Sequence, residues 1–159
     1  MKIDIVCVGK IKEKFYRDAI DEYAKRLSKY CKFDIIEVDD EKTPDKASEA
    51  LEEQIKQKEA QRLLSKIKED SCVITLEIQG KKFDSVGFSK VIEQIGLSGK
   101  SHIQFVIGGS LGLHESVTKR ADKHISFSDM TFPHQLMRVI LCEQIYRGYR
   151  IISNEPYHK

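Results

Sequence analysis

Phe105-Val-Ile-Gly-Gly-Ser-Leu-Gly-Leu113 joins an apolar, β-branched run to a turn that is rich in glycine. The apolar run is typical of a buried strand, and the glycines let the backbone approach a ligand that any Cβ would obstruct. A dinucleotide-binding loop does not fit, because Ser110 and Leu113 occupy the third and sixth places counted from Gly108. A phosphate-binding loop does not fit either, because Leu113 rather than lysine follows Gly112. The stretch predicts a strand ending in a tight turn, with a ligand site as the open alternative.

Outward from this stretch, short apolar runs alternate with segments whose apolar residues recur at helical spacing. Strands that alternate with helices need crossover connections, which build a mostly parallel sheet covered on both faces. The predicted fold class is therefore α/β, a parallel-sheet sandwich, in a single domain over residues 1–159. Thr43-Pro44-Asp45 predicts the start of the second helix, with Thr43 as its cap. Strands are predicted at residues 3–8, 33–38, 72–78, 103–107 and 124–127, and helices at 14–30, 47–68, around 88–95, at 115–121 and from Pro133 onward.

Ligands of such sheets bind in the crevice outside the carboxyl ends of the strands. We therefore expect a site at the loops that follow Ile78, Ile107 and Phe127. The loop after the fifth predicted strand holds small polar residues and enters a helix at Pro133. Its main-chain groups could hydrogen-bond a purine edge, and an ordinary connection with Ser128 or Thr131 as helix cap is the alternative.

Composition narrows the class of protein. The apolar fraction is 40%, the charged fraction is 33% and the net charge is +2, so bulk charge does not indicate nucleic-acid binding and any RNA contact must be local. The apolar runs are too short to cross a bilayer, and the start lacks a secretory pattern, so we expect a cytoplasmic protein. The cysteines have no paired short spacing, which predicts buried free thiols and no metal site: Cys7, Cys31, Cys72 and Cys142.

The last residues, 151–159, carry side chains that suit RNA. Tyr157 could stack on a base, His158 could donate or shuttle a proton, and Lys159 could meet a phosphate. The alternative is a solvated helix face followed by a loose terminus. A local basic set lies in the same part of the chain: Arg138, Arg147, Arg150, His158 and Lys159.

The glycine turn, residues 126–132, the segment from Pro133 to Arg147 and the ending Asn154-Glu-Pro-Tyr-His158 together resemble one family. It is the H-type ribosomal RNA large subunit methyltransferase family of the SPOUT class, and the resemblance covers the whole chain in length and element order. It implies SAM-dependent methylation of the ring nitrogen at position 3 of a pseudouridine in 23S rRNA, on the assembled ribosome. It also implies a homodimer and a C-terminal trefoil knot, which is a rare exception to the rule against threaded loops.

The resemblance also assigns residues, and the assigned SAM contacts fall in the three loops that the strand ends indicate. The implied site is composite, with the SAM pocket of one protomer and the last residues of the other facing one base, and it needs no metal. Arg147 is the candidate electrostatic stabiliser and His158 the candidate proton acceptor, whereas Arg138, Tyr157 and Lys159 are candidate RNA contacts. The implied SAM contacts are Leu76, Gly108, Phe127, Ser128, Asp129, Met130, Thr131 and Phe132.

Two other functions stay open. One is a non-catalytic ribosome-binding factor that keeps the fold and has lost SAM. The other is a different small nucleotide-dependent α/β enzyme, which the absence of both phosphate motifs disfavours.

Overall fold

A five-stranded, all-parallel sheet forms the centre of the protein in a computed structural model, which describes residues 1–159. The strands lie in the order β2-β1-β4-β3-β5, and a helix follows each strand. This arrangement confirms the predicted parallel-sheet sandwich, whereas the trefoil knot stays a prediction. The strands are β1 Lys2–Val8, β2 Lys32–Val38, β3 Cys72–Lys82, β4 His102–Ile107 and β5 Lys123–Ser126, and the helices are α1 Lys14–Leu27, α2 Glu49–Lys66, α3 Ser85–Leu97, α4 Glu115–Arg120 and α5 His134–Ile152.

The side chains of β1 show how the layers are built. Ile3, Ile5 and Cys7 are buried in a cluster with apolar side chains of α1, α3 and α5. Val6 and Val8 are buried in a second cluster with side chains of α2 and α4. Because successive side chains of a strand point to opposite faces, α1, α3 and α5 cover one face of the sheet and α2 and α4 cover the other. Full burial of each such side chain contributes about 1.5–3 kcal/mol, so the two clusters are the main source of stability.

The start of α2 differs from the prediction. Residues 43–48 are not helical, and α2 begins at Glu49. Ser48 is the N-cap residue, and its hydroxyl accepts a hydrogen bond of 3.2 Å from the backbone N–H of Leu51. The prediction that Thr43 caps this helix is therefore wrong. The last helix begins at His134, directly after Pro133, and has no side-chain cap, so the alternative with Ser128 or Thr131 as cap is also wrong.

β3 is longer than predicted because it is interrupted and then resumes. Leu76 and Lys81 both pair with Ile125 of β5, so residues 77–80 form an irregularity in the ladder. Gly80 lies so close to β5 that a Cβ there would be 2.5 Å from the carbonyl carbon of Ile125. Only glycine permits this approach, and the irregularity leaves residues 77–79 outside the ladder at the carboxyl edge of the sheet.

The four cysteines are buried and free, as predicted. Burial raises the pKa of the Cys7 thiol to about 12 and that of Cys142 to about 12 as well. These thiols are therefore protonated at neutral pH and act as small apolar side chains of the core. No helix combines the length and the apolar character that a membrane span requires.

Candidate functional site

A cavity of about 550 Å³ lies at the carboxyl edge of the sheet, where the ends of β3, β4 and β5 meet. Its walls are the irregularity of β3, the glycine turn after β4 and the loop after β5, which are the three loops that the strand-end rule indicated. We call it the main cavity. Every predicted SAM contact except Asp129 lines it, and Asp129 instead forms an ion pair with Lys82. The predicted contacts that line it are Leu76, Gly108, Phe127, Ser128, Met130, Thr131 and Phe132.

The glycine turn forms one wall, and its shape depends on two glycines. A Cβ on Gly108 would lie 2.8 Å from the carbonyl carbon of Gly112, so the two backbone segments touch directly. Gly112 has a φ of +86°, which L side chains rarely adopt, and its N–H donates to the Gly109 carbonyl at 3.1 Å. A Cβ on Gly112 would meet no atom within 4 Å. The turn therefore presents bare backbone to the main cavity.

The loop after β5 forms the opposite wall and is held by its own hydroxyls. Ser126 Oγ donates to the Ser128 carbonyl at 3.1 Å, and Ser128 Oγ accepts from the Met130 N–H at 3.0 Å. The ring of Phe127 meets that of Phe88 edge to face, with centroids 5.8 Å apart. One end of the loop is thus anchored in the core, and several of its main-chain groups stay available to a ligand.

Three ionisable side chains in the main cavity were missed by sequence reasoning: Lys56, Glu77 and His134. Glu77 follows Leu76 at the end of a strand, so the strand-end rule could have found it. Burial, and next the positive charge of Arg138, lower the pKa of His134, so this histidine is neutral at pH 7. The sequence around Lys56 does not distinguish it from other surface lysines, because it lies in a helix rich in lysine and glutamate that has the pattern of a solvated surface.

The candidate catalytic residues come together at the end of α5. Arg147 donates through Nε and Nη2 to Glu143 Oε1, at 3.0 and 2.6 Å, and its guanidinium lies 4.6 Å from the centre of the Tyr157 ring. Tyr157 OH donates to the same carboxylate oxygen at 3.0 Å, and Arg147 Nη1 lies 3.2 Å from His158 Nδ1. Burial and the Glu143 carboxylate raise the pKa of Tyr157 to about 12, so the phenol stays protonated. The predicted residues Arg147, Tyr157 and His158 therefore form one cluster around Glu143.

The contact with Arg147 fixes the tautomer of His158. A guanidinium has only donors, so His158 Nδ1 must accept, and the neutral ring carries its proton on Nε2. As a proton acceptor, His158 must therefore use Nδ1, and only after Arg147 has moved away from it. His158 also lines a second cavity of about 460 Å³, which shares Ser126, Phe127 and Phe132 with the main cavity.

The segment that carries these residues is folded back onto α5. Arg150 donates to Glu155 at 2.6 Å, to the Pro156 carbonyl at 2.7 Å and to Tyr30 OH at 3.1 Å. Asn154 takes a φ of 54°, a left-handed conformation that asparagine tolerates and that reverses the chain after the helix. Residues 154–158 are therefore tied to α5 and to the turn after α1 and are not a loose terminus, whereas Lys159 is exposed.

Arg138 does not lie where an RNA contact would require it. Its side chain is 0% exposed, and Nη2 donates to the carbonyls of Val8 and Gly9 at 2.6 and 2.9 Å. Nη1 donates at 2.9 Å to Glu37 Oε2, and the same oxygen accepts a hydrogen bond from the Ile11 N–H. The position contradicts the predicted RNA contact, because a guanidinium with no accessible surface cannot reach a phosphate. Arg138 instead joins α5 to the end of β1.

Glu59 is a buried acid behind the glycine turn. A Cβ on Gly109 would lie 3.2 Å from Glu59 Oε1, and Oε2 accepts from the Glu41 N–H at 3.1 Å. Burial raises the pKa of Glu59, although the hydrogen bond from Glu41 opposes the shift. Folding therefore favours the neutral form of the Glu59 carboxyl. As the pH rises from about 4.3, the ordinary pKa of a glutamate, through the raised pKa of Glu59, ionisation of this residue lowers the free energy of unfolding.

We expect Glu59→Gln to become more stable relative to the wild type as the pH rises from 4 to 7. Glutamine keeps an oxygen that can accept from Glu41 and carries no charge to desolvate. Urea unfolding at both pH values measures the difference. Glu93→Gln, at an exposed position in the middle of α3, is the control and should show no such trend. A difference for Glu59→Gln that is constant with pH would contradict the expectation.

Comparisons with known proteins agree with this geometry. A family model described as "Predicted SPOUT methyltransferase" matches residues 1–158. The chain is 59% identical, over 159 residues and the whole of both chains, to "Ribosomal RNA large subunit methyltransferase H 1" of Clostridium perfringens (strain SM101 / Type A). It is 59% identical over the same length to "Ribosomal RNA large subunit methyltransferase H" of Bifidobacterium adolescentis.

A solved structure shares the fold at low sequence identity. It is titled "The structure of a probable methylase family protein from Haemophilus influenzae Rd KW20", with 14% identity and a TM-score of 0.53, and the match covers 99% of this chain and 70% of that one. The full-length matches confirm the resemblance predicted from the C-terminal half. The chain therefore belongs to the SPOUT methyltransferase family, among the proteins named ribosomal RNA large subunit methyltransferase H.

Proposed function

We propose that the protein transfers a methyl group from S-adenosyl-L-methionine to the ring nitrogen at position 3 of a pseudouridine in 23S rRNA. The observation that carries the proposal is the main cavity, whose walls are the three loops at the carboxyl edge of the sheet. Membership of the methyltransferase family, with full-length relatives named for rRNA, supports the same reaction. We further propose that it acts as a homodimer, in the cytoplasm, on the assembled ribosome.

The main cavity fits S-adenosyl-L-methionine. Its volume of about 550 Å³ falls in the ordinary range of small-molecule sites, roughly 300–1,000 Å³. The bare backbone at Gly112 leaves space that a side chain would fill, and Leu76, Leu111 and Phe127 offer apolar surface to an adenine or a ribose. Ser128, Met130 and Thr131 belong to the loop whose main chain would read the purine edge.

Bound S-adenosyl-L-methionine would supply a methyl group that its positive sulfur has already activated. The protein must align the base nitrogen with that methyl group and must deal with the proton of the weakly acidic imide. Methyl transfer would form an N–C bond and break the C–S bond, and the base nitrogen would give up this proton. We propose that Arg147 stabilises the negative charge that develops on the ring and that His158 Nδ1 accepts the proton. A turn of Arg147 toward the base would free that nitrogen.

The substrate is tested by mass spectrometry of 23S rRNA from cells with and without the gene. We expect the N3-methylated pseudouridine to be lost with the gene and restored by a plasmid copy. An unchanged level would rule out this substrate. Calorimetry with S-adenosylhomocysteine tests the cofactor separately, and absence of binding at millimolar ligand would favour a non-catalytic ribosome-binding factor.

We expect Arg147→Ala and His158→Ala each to slow methylation of ribosomes on the order of 100-fold, as loss of a charge-stabilising donor or of a general base does elsewhere. Neither side chain lines the main cavity, so the affinity for S-adenosylhomocysteine should stay within about twofold of the wild type. Arg17→Ala, on the exposed side of α1, is the matched control. Full turnover of both variants would show that the assigned roles are wrong.

A further inference from the structure

The ionisable groups around the main cavity are few, and only one of them offers a positive charge. His134 is neutral at pH 7 because burial and Arg138 lower its pKa. Glu77 is engaged by Thr75 Oγ1 and by His124 Nδ1, each 2.5 Å from the same carboxylate oxygen. Lys56 is the remaining ionisable residue in the lining and brings a full positive charge to the wall formed by α2.

Lys56 is paired with one carboxylate, which does not use all of its hydrogen-bond donors. Its Nζ lies 3.5 Å from Glu53 Oε2, beyond the usual length of a charge-assisted hydrogen bond. The other oxygen, Glu53 Oε1, lies 2.9 Å from Nε2 of His114, which is the N-cap residue of α4. This contact positions the Glu53 carboxylate, and the carboxylate in turn keeps the ammonium near the cavity. An ammonium has three donors, so Lys56 keeps donors for a ligand.

The proposed cofactor carries one anionic group. S-adenosyl-L-methionine has a positive sulfur, a positive ammonium and a single carboxylate, and the rest of the molecule is a neutral adenosine. Lys56 is the only lysine or arginine in the lining, so its ammonium favours the carboxylate over the other two charges, and its pairing with Glu53 reduces the size of this preference. The side chain of Lys56 is 27% exposed, so water screens it only in part.

We infer that Lys56 binds the carboxylate of the methionine part of the cofactor and so fixes which end of the cavity that part occupies. The inference rests on the proposed function and adds a residue that selects the amino-acid part of the ligand. Glu53 and His114 are positioning residues, because they act through Lys56 and not on the ligand.

Two ligands distinguish binding of the carboxylate by Lys56 from a general effect of the substitution on the shape of the cavity. S-adenosylhomocysteine carries the carboxylate, whereas 5′-methylthioadenosine keeps the adenine, the ribose and the thioether and lacks the whole amino-acid part. Calorimetry measures the dissociation constant of each ligand with the wild type, Lys56→Met and Lys56→Arg. Lys58→Met is the matched control, because Lys58 is exposed on the same helix, does not line the cavity, and its loss changes the net charge equally.

We expect Lys56→Met to weaken binding of S-adenosylhomocysteine by roughly three- to tenfold and to leave 5′-methylthioadenosine within about twofold. The loss should shrink at high salt, and Lys56→Arg should keep most of the affinity. An equal loss for both ligands, or no loss for either, would overturn the inference while the proposed function stands. A wild type that binds neither ligand would overturn the proposed function and the inference with it.

Discussion

Arg138→Met is expected to lower the free energy of unfolding by about 3–5 kcal/mol, the cost of breaking a buried charge pair from one side. Methionine fills much of the volume of the side chain, so the loss is mainly electrostatic. The variant leaves the Val8 and Gly9 carbonyls without their donor and leaves Glu37 without its positive partner. Urea denaturation at pH 7 measures the loss.

Two variants show that the loss belongs to this buried position. Arg17→Met removes an exposed arginine of α1 and should change stability by less than about 0.5 kcal/mol. Arg138→Lys keeps the charge but cannot reach both carbonyls and Glu37 in the planar geometry of a guanidinium, so it should fall between. If Arg138→Met lost no more than Arg17→Met, the structural role of Arg138 would be refuted.

Gly108→Ala is expected to weaken binding of S-adenosylhomocysteine on the order of 100-fold, which corresponds to a loss of about 2.8 kcal/mol of binding free energy. The new Cβ would lie 2.8 Å from the Gly112 carbonyl carbon, which is backbone and cannot rotate away. The turn must open, and this turn is a wall of the main cavity. Calorimetry measures the affinity.

Gly96→Ala is the control for this substitution. Its Cβ would meet only the terminal carbon of Met1 at 3.4 Å, and alanine favours a helix, so α3 should tolerate the change. Circular dichroism and a urea titration establish that both variants are folded. An affinity of Gly108→Ala equal to that of Gly96→Ala would show that the turn does not shape the binding site.

The sequence was enough to predict the features that depend on local pattern. Apolar runs and helical spacing gave the order of the ten elements, and the rule for parallel sheets then selected the loops after β3, β4 and β5. Glycine at Gly108 and Gly112 indicated bare backbone at the second of these loops. These predictions succeeded because each depends on residues that are close together in the chain.

The predictions that failed depend on partners far away in the sequence. Thr43-Pro44-Asp45 has the chemistry of a helix start, but Glu59 and Arg62 of α2 bind the chain just before it. Arg62 Nη1 donates to the Asp39 carbonyl at 2.9 Å, and this attachment holds the preceding segment in an irregular path along the helix. From the sequence alone, Arg138 likewise resembles a surface arginine. Its partner in the folded protein, Glu37, lies 101 residues earlier in the chain.

The order of the strands has a consequence for how the chain folds. β1 pairs with β4 from Lys2 opposite His102 to Cys7 opposite Ile107, so the middle of the sheet joins segments 100 residues apart. The entropy cost of closing so long a loop must be met before the contacts between the two strands can stabilise the sheet. Folding is therefore expected to be slow. During synthesis, β1 and β2 can pair early, but the sheet stays split until β4 has emerged. The bond from Arg138 to the Val8 carbonyl can form only after α5, the last helix of the chain, has been made, so it joins the first strand to the last helix.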